Sequence, residues 1–286
     1  MKNILLPTDF SENSWNAISY ALQLFKDKVC TFHVLHTYTP IVYHVEYVMV
    51  STSQFDLADV IREQAIKSLK NFETRIQDTF NNPKHHFKFE AVFNTLTLEI
   101  SEQVKENKID YVIMGTKGAT GAKEILFGSN TVHVFKQVKC PVLAVPDGFK
   151  FEPSQEILFP TDYEIDYQEK QIHAIVEIAK QFKSKINVLH VSRGTDLLDE
   201  QEQNKAKLKL YFKNTPHLFH QVKDQEVTIA ITDFQQKKRI DLLIMINNKH
   251  SFFENLFFKS TVSQLGFHLN IPFLVIPSHK KNVIEI

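Results

Sequence analysis

Four short motifs occur twice in this chain, in the same order, and no other feature of the sequence constrains the fold as strongly. Ile4-Leu5-Leu6-Pro7-Thr8-Asp9-Phe10 returns as Ile157-Leu158-Phe159-Pro160-Thr161-Asp162-Tyr163, and Val34-Leu35-His36 returns as Val188-Leu189-His190. Asp110-Tyr111-Val112-Ile113-Met114 matches Asp241-Leu242-Leu243-Ile244-Met245, and Pro141-Val142-Leu143-Ala144-Val145-Pro146 matches Pro272-Phe273-Leu274-Val275-Ile276-Pro277. At 286 residues the chain has room for two domains of ordinary size, and we read one unit written twice, over 1–149 and 155–280. Asp147 to Gln155, with Gly148 and Pro153, reads as the linker.

Each anchor is an apolar run fenced by Pro, Asp or Gly, and helically spaced segments lie between them. That alternation specifies βαβ units around a parallel sheet, an α/β fold. Five strands are predicted in the first half, near 2–6, 29–36, 86–92, 110–114 and 141–145, and five in the second, near 156–159, 185–191, 217–222, 241–246 and 273–276. Between them, Trp15-Ile18-Leu22-Phe25 and Leu57-Ile61-Ala65-Leu69-Phe72-Ile76 step by three or four, one apolar stripe per helix. The second helix is predicted to be long in the first half and shorter in the second.

The chain has 7 glycines, and Gly115, Gly118, Gly121 and Gly128 fall within one short loop. That concentration implies backbone freedom or the close approach of another group. The loop follows a buried strand, Tyr111 to Met114, and leads into a helix starting near Ser129. In an open α/β sheet this is the edge where ligands bind, and free N–H groups at a helix start attract phosphate. Neither the P-loop spacing nor Gly-x-Gly-x-x-Gly is present. What stands instead is Gly115-Thr116-Lys117-Gly118, nine residues, then Gly128-Ser129.

This Gly-x2-Gly-x9-Gly-Ser spacing resembles the nucleotide-binding signature of the universal stress protein family, and Met114, Glu124-Ile125-Leu126 and Pro141-Val142-Leu143 suit its context. Leu6-Pro7-Thr8-Asp9-Phe10-Ser11 is likewise similar to that family's first strand and turn. The resemblance implies two tandem doubly wound domains, each a five-stranded parallel sheet of order 3-2-1-4-5 with helices on both faces. It also implies that Asp9 faces an adenine, with Thr37 contacting the base and Pro7 and Thr8 beside them. Gly115, Lys117, Gly118, Gly128, Ser129, Asn130 and Thr131, adjoining Met114, would hold ribose and phosphates. The implied ligand is ATP, ADP or AMP, with Mg²⁺ where phosphates are present. An alternative role for Asp9 is a helix N-cap, which needs no ligand.

In the second half every motif glycine is missing: Phe258 stands opposite Gly128 and Lys259 opposite Ser129, so that half is expected to be free of nucleotide. Phe252, Phe253, Phe257 and Phe258 would plug the vacated cleft, form a partner surface or simply pack. His85-His86 and His217 with His220 read as surface or strand-end residues, and Gln236-Lys237-Lys238-Arg239 as a solvated helix end. No Gly-x-Ser-x-Gly elbow is present.

Thirty-three basic residues balance thirty-three acidic ones, which disfavours a nucleic-acid partner. The apolar stretch Ile41 to Val50 is interrupted by His44 and Glu46 and is too short for a membrane span. Cys30 and Cys140 are too few for a disulfide framework, and an amino terminus reaching Pro7 and Asp9 so early does not read as a signal peptide, so a cytoplasmic protein is expected. Three functions stay open on the sequence: a stress-linked regulator or binding module with an unknown protein partner, an adenine-nucleotide-dependent enzyme (a slow ATPase or an adenylate-transferring one), and a nucleotide-independent scaffold. The family resemblance implies dimerisation through the fifth strand. A tandem chain should make that contact internally, with Val142 to Val145 antiparallel to Phe273 to Ile276 and Leu143, Val145, Leu274 and Ile276 buried; pairing between two chains is the rival.

Overall fold

Strands covered on both faces need near-continuous apolar runs, and the repeated anchors supply them. The computed structural model describes residues 1–39, 53–116, 127–192, 196–247 and 270–278. In the first half the elements are β1 (Lys2–Pro7), α1 (Glu12–Leu24), β2 (Cys30–Tyr38), α2 (Ser53–Thr79), β3 (His85–Phe93), α3 (Leu96–Glu106), β4 (Tyr111–Gly115), α4 (Ser129–Gln137) and β5 (Val142–Val145). The second half gives β6 (Glu156–Pro160), α5 (Glu169–Phe182), β7 (Lys185–Ser192), α6 (Asp199–Phe212), β8 (His217–Lys223), α7 (Val227–Lys237), β9 (Leu242–Asn247) and β10 (Phe273–Pro277). The predicted strands fall on these elements, and α2 spans 27 residues against 14 for α6.

All the strands form one sheet, in the order β3-β2-β1-β4-β5-β10-β9-β6-β7-β8. Each half is thus a parallel 3-2-1-4-5 sheet in its own count. The halves meet where β5 and β10 pair antiparallel, with Leu143 opposite Leu274, Ala144 opposite Phe273 and Val142 opposite Val275. Because side chains alternate across a sheet, the seam is buried on both sides. Leu143, Val145, Leu274 and Ile276 join the core under α1, α2, α5 and α6. Val142, Ala144, Phe273 and Val275 join the core under α3, α4 and α7. The Phe273 ring lies 5.6 Å from Phe135 and 5.7 Å from Phe127, so aromatic rings of the first half close over the second half's last strand.

Polar side chains in the interior are held by specific bonds. Asn187, fully buried in β7, donates to Glu156 Oε2 at 2.8 Å and to the Ile157 carbonyl at 3.2 Å, and accepts from Lys238 Nζ at 3.2 Å. Lys238 also pairs with Glu156 at 2.8 Å. The Gln236–Arg239 run is therefore not just a solvated helix end: α7 stops at Lys237, and the next side chain turns inward to a carboxylate. His85 opens β3 from a buried position, next to the Phe25 carbonyl at 3.2 Å, and His220 sits within β8 against Asn187 at 3.1 Å. Among the described residues no helix is long and apolar enough to cross a membrane.

Candidate functional site

In each half the strand order reverses direction between the first and fourth strands, and the crevice at their carboxyl ends is where an open α/β sheet takes a ligand. In the first half a cavity of about 390 Å³ opens there. It is lined by Pro7, Thr8 and Asp9 at the end of β1, His36 and Thr37 of β2, Met114 and Gly115 of β4, and Gly128, Ser129, Asn130 and Thr131 at the start of α4, with Ser14 and Leu96 between. Ten of the twelve residues singled out in the sequence thus line one cavity. Lys117 and Gly118 lie outside the described residues, as do Phe252, Phe253, Phe257, Phe258 and Lys259 of the second half.

The start of α4 forms one wall. Gly128 is its N-cap residue and offers no side chain to bond the first-turn N–H groups; no side-chain cap is made, and the first turn carries no acid. α1 is capped, because the Ser11 hydroxyl accepts from the Ser14 N–H at 3.2 Å. An uncapped helix start leaves donors and the positive end of the helix dipole free to meet an anion. Gly128 has φ −59° and ψ 152°, which any residue adopts, so its contribution is the missing side chain and not backbone freedom. The helix start is anchored by Gly128 N–H donating to the Thr116 carbonyl at 2.7 Å and by the Thr131 hydroxyl donating to the Gly115 carbonyl at 3.1 Å. Gly115 is a glycine for a packing reason. A Cβ there would lie 2.6 Å from Asn13 Oδ1, so the floor of the cavity is set by the approach of α1 to the end of β4.

The opposite wall is the β1–α1 turn. Asp9 does not cap α1: Ser11 does, and Asp9 Oδ1 instead accepts from the Ser11 N–H at 3.1 Å and from its hydroxyl at 2.5 Å. Asp162 behaves alike, accepting from the Glu164 N–H at 3.0 Å, while α5 is capped at Gln168. The capping role considered for Asp9 is overturned; the side chain holds an Asx turn and stays exposed on the cavity rim. The turn is tight enough to put Phe10 at φ 64° and Tyr163 at φ 60°. Thr8 holds it from beneath, accepting from the Phe10 N–H at 3.0 Å and bonding the Ser14 hydroxyl at 3.0 Å.

His36 was not singled out for the site, yet it lines the cavity, with Nδ1 2.9 Å from the Thr8 carbonyl and its ring 4.3 Å from Phe10. A signal was present: its counterpart His190 makes the same 2.9 Å contact to the Thr161 carbonyl and stacks on Tyr163 at 4.8 Å. Ser14 could have been reached from the Ser-x-x-Ser spacing of a capped helix; Leu96 could not, since only the placing of α3 brings it in. Where the first half has Ser14 on Thr8, the second has the buried Tyr167 hydroxyl on Thr161. Gln201 and Asn204 of α6 donate to the carbonyls of Asp162 and Tyr163, both at 2.9 Å. The second half's turn is thus tied to its own helix layer. Burial pushes the Cys30 thiol up to about 11 and the Cys140 thiol up to about 12, so neither is poised as a nucleophile.

The model of the universal stress protein family matches residues 1–146 and again 153–277. The chain belongs to the universal stress protein family. Its two halves are tandem copies of that family's domain. Universal stress protein MJ0531 of Methanocaldococcus jannaschii is 29% identical over 148 residues, covering 50% of this chain and 81% of its own. Universal stress protein MJ0577 of the same organism is 29% identical over 157 residues, covering 50% of this chain and 94% of its own. A universal stress protein from Archaeoglobus fulgidus has a solved structure that superposes with a TM-score of 0.70 at 18% identity, covering 96% of this chain and 98% of that one, a likeness of fold alone.

Proposed function

We propose that this tandem universal stress protein binds one adenine nucleotide, ATP, ADP or AMP, in the cavity of its first half and acts in the cytoplasm as a stress-response regulator or binding module. One observation carries the reading: residues from six separate runs of the chain meet around a cavity with a carboxylate at one end and an uncapped helix start at the other. Its volume falls within the roughly 300–1,000 Å³ of small-molecule sites. Asp9, with Oδ1 already engaged, keeps Oδ2 for the amino edge of an adenine, and the N–H groups of Ser129 and Asn130 suit phosphate oxygens. Mg²⁺, where present, would be held chiefly by phosphate oxygens and water, since among the described residues no group of three His, Cys, Asp or Glu side chains is gathered to bind a metal. Asp9 is the one carboxylate among the described lining residues and belongs to the base end, so among those residues no carboxylate stands at the phosphate end to act as a general base.

The test is titration calorimetry with ATP, ADP and AMP, alongside mass spectrometry of whatever the purified protein releases on heating. One nucleotide per chain, returned unchanged, supports a binding module. Conversion to product would favour the enzyme reading. Two equivalent sites, or a site that survives Gly128→Phe, would overturn the assignment.

A further inference from the structure

The antiparallel β5–β10 seam relates the two halves by a pseudo-twofold axis, so each groove that one half makes against the other has a counterpart. One of the two is covered by the linker. Phe149 and Phe151 pack on Tyr20 of α1 at 6.2 and 5.2 Å, Phe151 reaches on to Phe182 at 6.0 Å, and the Tyr20 hydroxyl bonds to Ser154. In that groove the linker's Glu152 pairs with Arg239, which also donates to Asp241 at 3.0 Å. The chain thus places a carboxylate on a cation at this position.

The counterpart groove lies between α5 and the amino-terminal ends of β1, β4 and β5, and it is a cleft of about 510 Å³. Aligning the halves sets Lys108-Ile109-Asp110 against Arg239-Ile240-Asp241 and Lys139 against Asn270, so the open cleft has gained a cation. Lys2, Lys108, Lys139 and Lys170 line it. Its two carboxylates are already engaged: Glu177 pairs with Lys2 at 3.0 Å, and Asp110 accepts from the Asn3 N–H at 2.8 Å. Among the described residues Lys108, Lys139 and Lys170 form no ion pair.

We infer that this cleft binds a small di- or polyanion, a phosphate ester or a polycarboxylate, whose acid groups meet Lys108 as Glu152 meets Arg239. Three lysines around one concavity repel each other, and a multivalent anion removes that repulsion while gaining attraction from each. Lysine, a compact point charge with rotatable donors, suits oxygens arranged in more than one geometry. The cleft lies at the opposite ends of the strands from the nucleotide cavity, and both halves contribute to it: Lys2, Lys108 and Lys139 come from the first and Lys170 from the second. A bound anion would therefore also hold the halves together. None of this depends on what the first half's cavity binds.

The experiment is titration calorimetry on the full chain with inorganic tripolyphosphate and with citrate, at low ionic strength, because salt screens such contacts. We expect saturable binding of one probe per chain at millimolar affinity or better, reduced at least about tenfold by the double variant Lys108→Glu/Lys139→Glu. The two positions are exposed, so the variant should fold, and an unchanged melting temperature without probe checks this. Repeating the titration in Gly128→Phe keeps the probe out of the other cavity. Persistence there supports the cleft; loss there assigns the anion elsewhere and overturns the inference. Absence of saturation by either probe up to about 10 mM would overturn it too. So would an equal loss in Lys70→Glu/Lys213→Glu, which changes the same charge at a distance. Binding of tripolyphosphate alone narrows the ligand to phosphates, and of citrate alone to carboxylates.

Discussion

Asp9 and Asp162 occupy the same place in the repeat and hold the same Asx turn, but only Asp9 lines the described cavity. Asp9→Ala and Asp162→Ala should therefore lower stability by similar small amounts, each losing a local side-chain bond worth about 0.5–1.5 kcal/mol. Only Asp9→Ala should weaken nucleotide binding, by about tenfold; paired denaturation and calorimetry on both variants check this. His33 shows a second contrast between the halves. Buried in β2, with neither ring nitrogen hydrogen-bonded, it corresponds to the fully bonded Asn187. Burial, then Lys88, holds its pKa below the ordinary 6.5. Burial likewise depresses His85, and His220 with the help of Lys238 and Lys185. Each folded-state pKa is lower than the unfolded one, so the unfolded chain binds more protons as pH falls through 6.5. The stabilising contribution is complete above that pH and is lost on acidification towards the folded pKa values. The slope is at most about 1.4 kcal/mol per pH unit per histidine. Urea titrations from neutral to acid pH should show that loss, and His33→Asn should flatten it.

At the scale of elements, the start of α4 is the feature on which the site depends. A helix without a cap gives up stability that one substitution could restore, and Gly128 has a backbone conformation that aspartate adopts freely. Gly128→Asp should raise stability by a few tenths of a kcal/mol through capping while reducing nucleotide affinity by more than about tenfold, because its carboxylate occupies the anion's place. A thermal melt and a titration on one sample would read the opposite signs; loss of both would mean that the glycine serves packing. The glycine spacing made this element legible in the sequence. It did not explain Gly115, whose missing Cβ is required by Asn13, a residue distant in sequence that packing brings to the end of β4.

At the scale of the molecule, one sheet runs through both halves, and the β5–β10 seam is buried on each face. Leu274, 1% exposed and opposite Leu143, belongs to the core of both. Leu274→Asp should destabilise the chain by at least about 3 kcal/mol and lower amide-exchange protection in β4 and β5 as well as in β9 and β10. Protection lost in the second half alone would mean that the halves unfold independently. The sequence by itself determined the repeat and the alternation of strand and helix, because apolar periodicity and turn chemistry are local properties that the chain states in order; its glycine loop marked one wall of the first half's cavity, and the other lining residues were those that the family resemblance implies. Tertiary structure alone decided that Asp9 turns the backbone and leaves the cap to Ser11, that Leu96 joins the site, and that Lys238 turns inward to Glu156. It also decided that the linker covers one interdomain groove and leaves its partner open and basic. These outcomes depend on which distant groups packing brings within bonding distance, and linear spacing does not encode that distance.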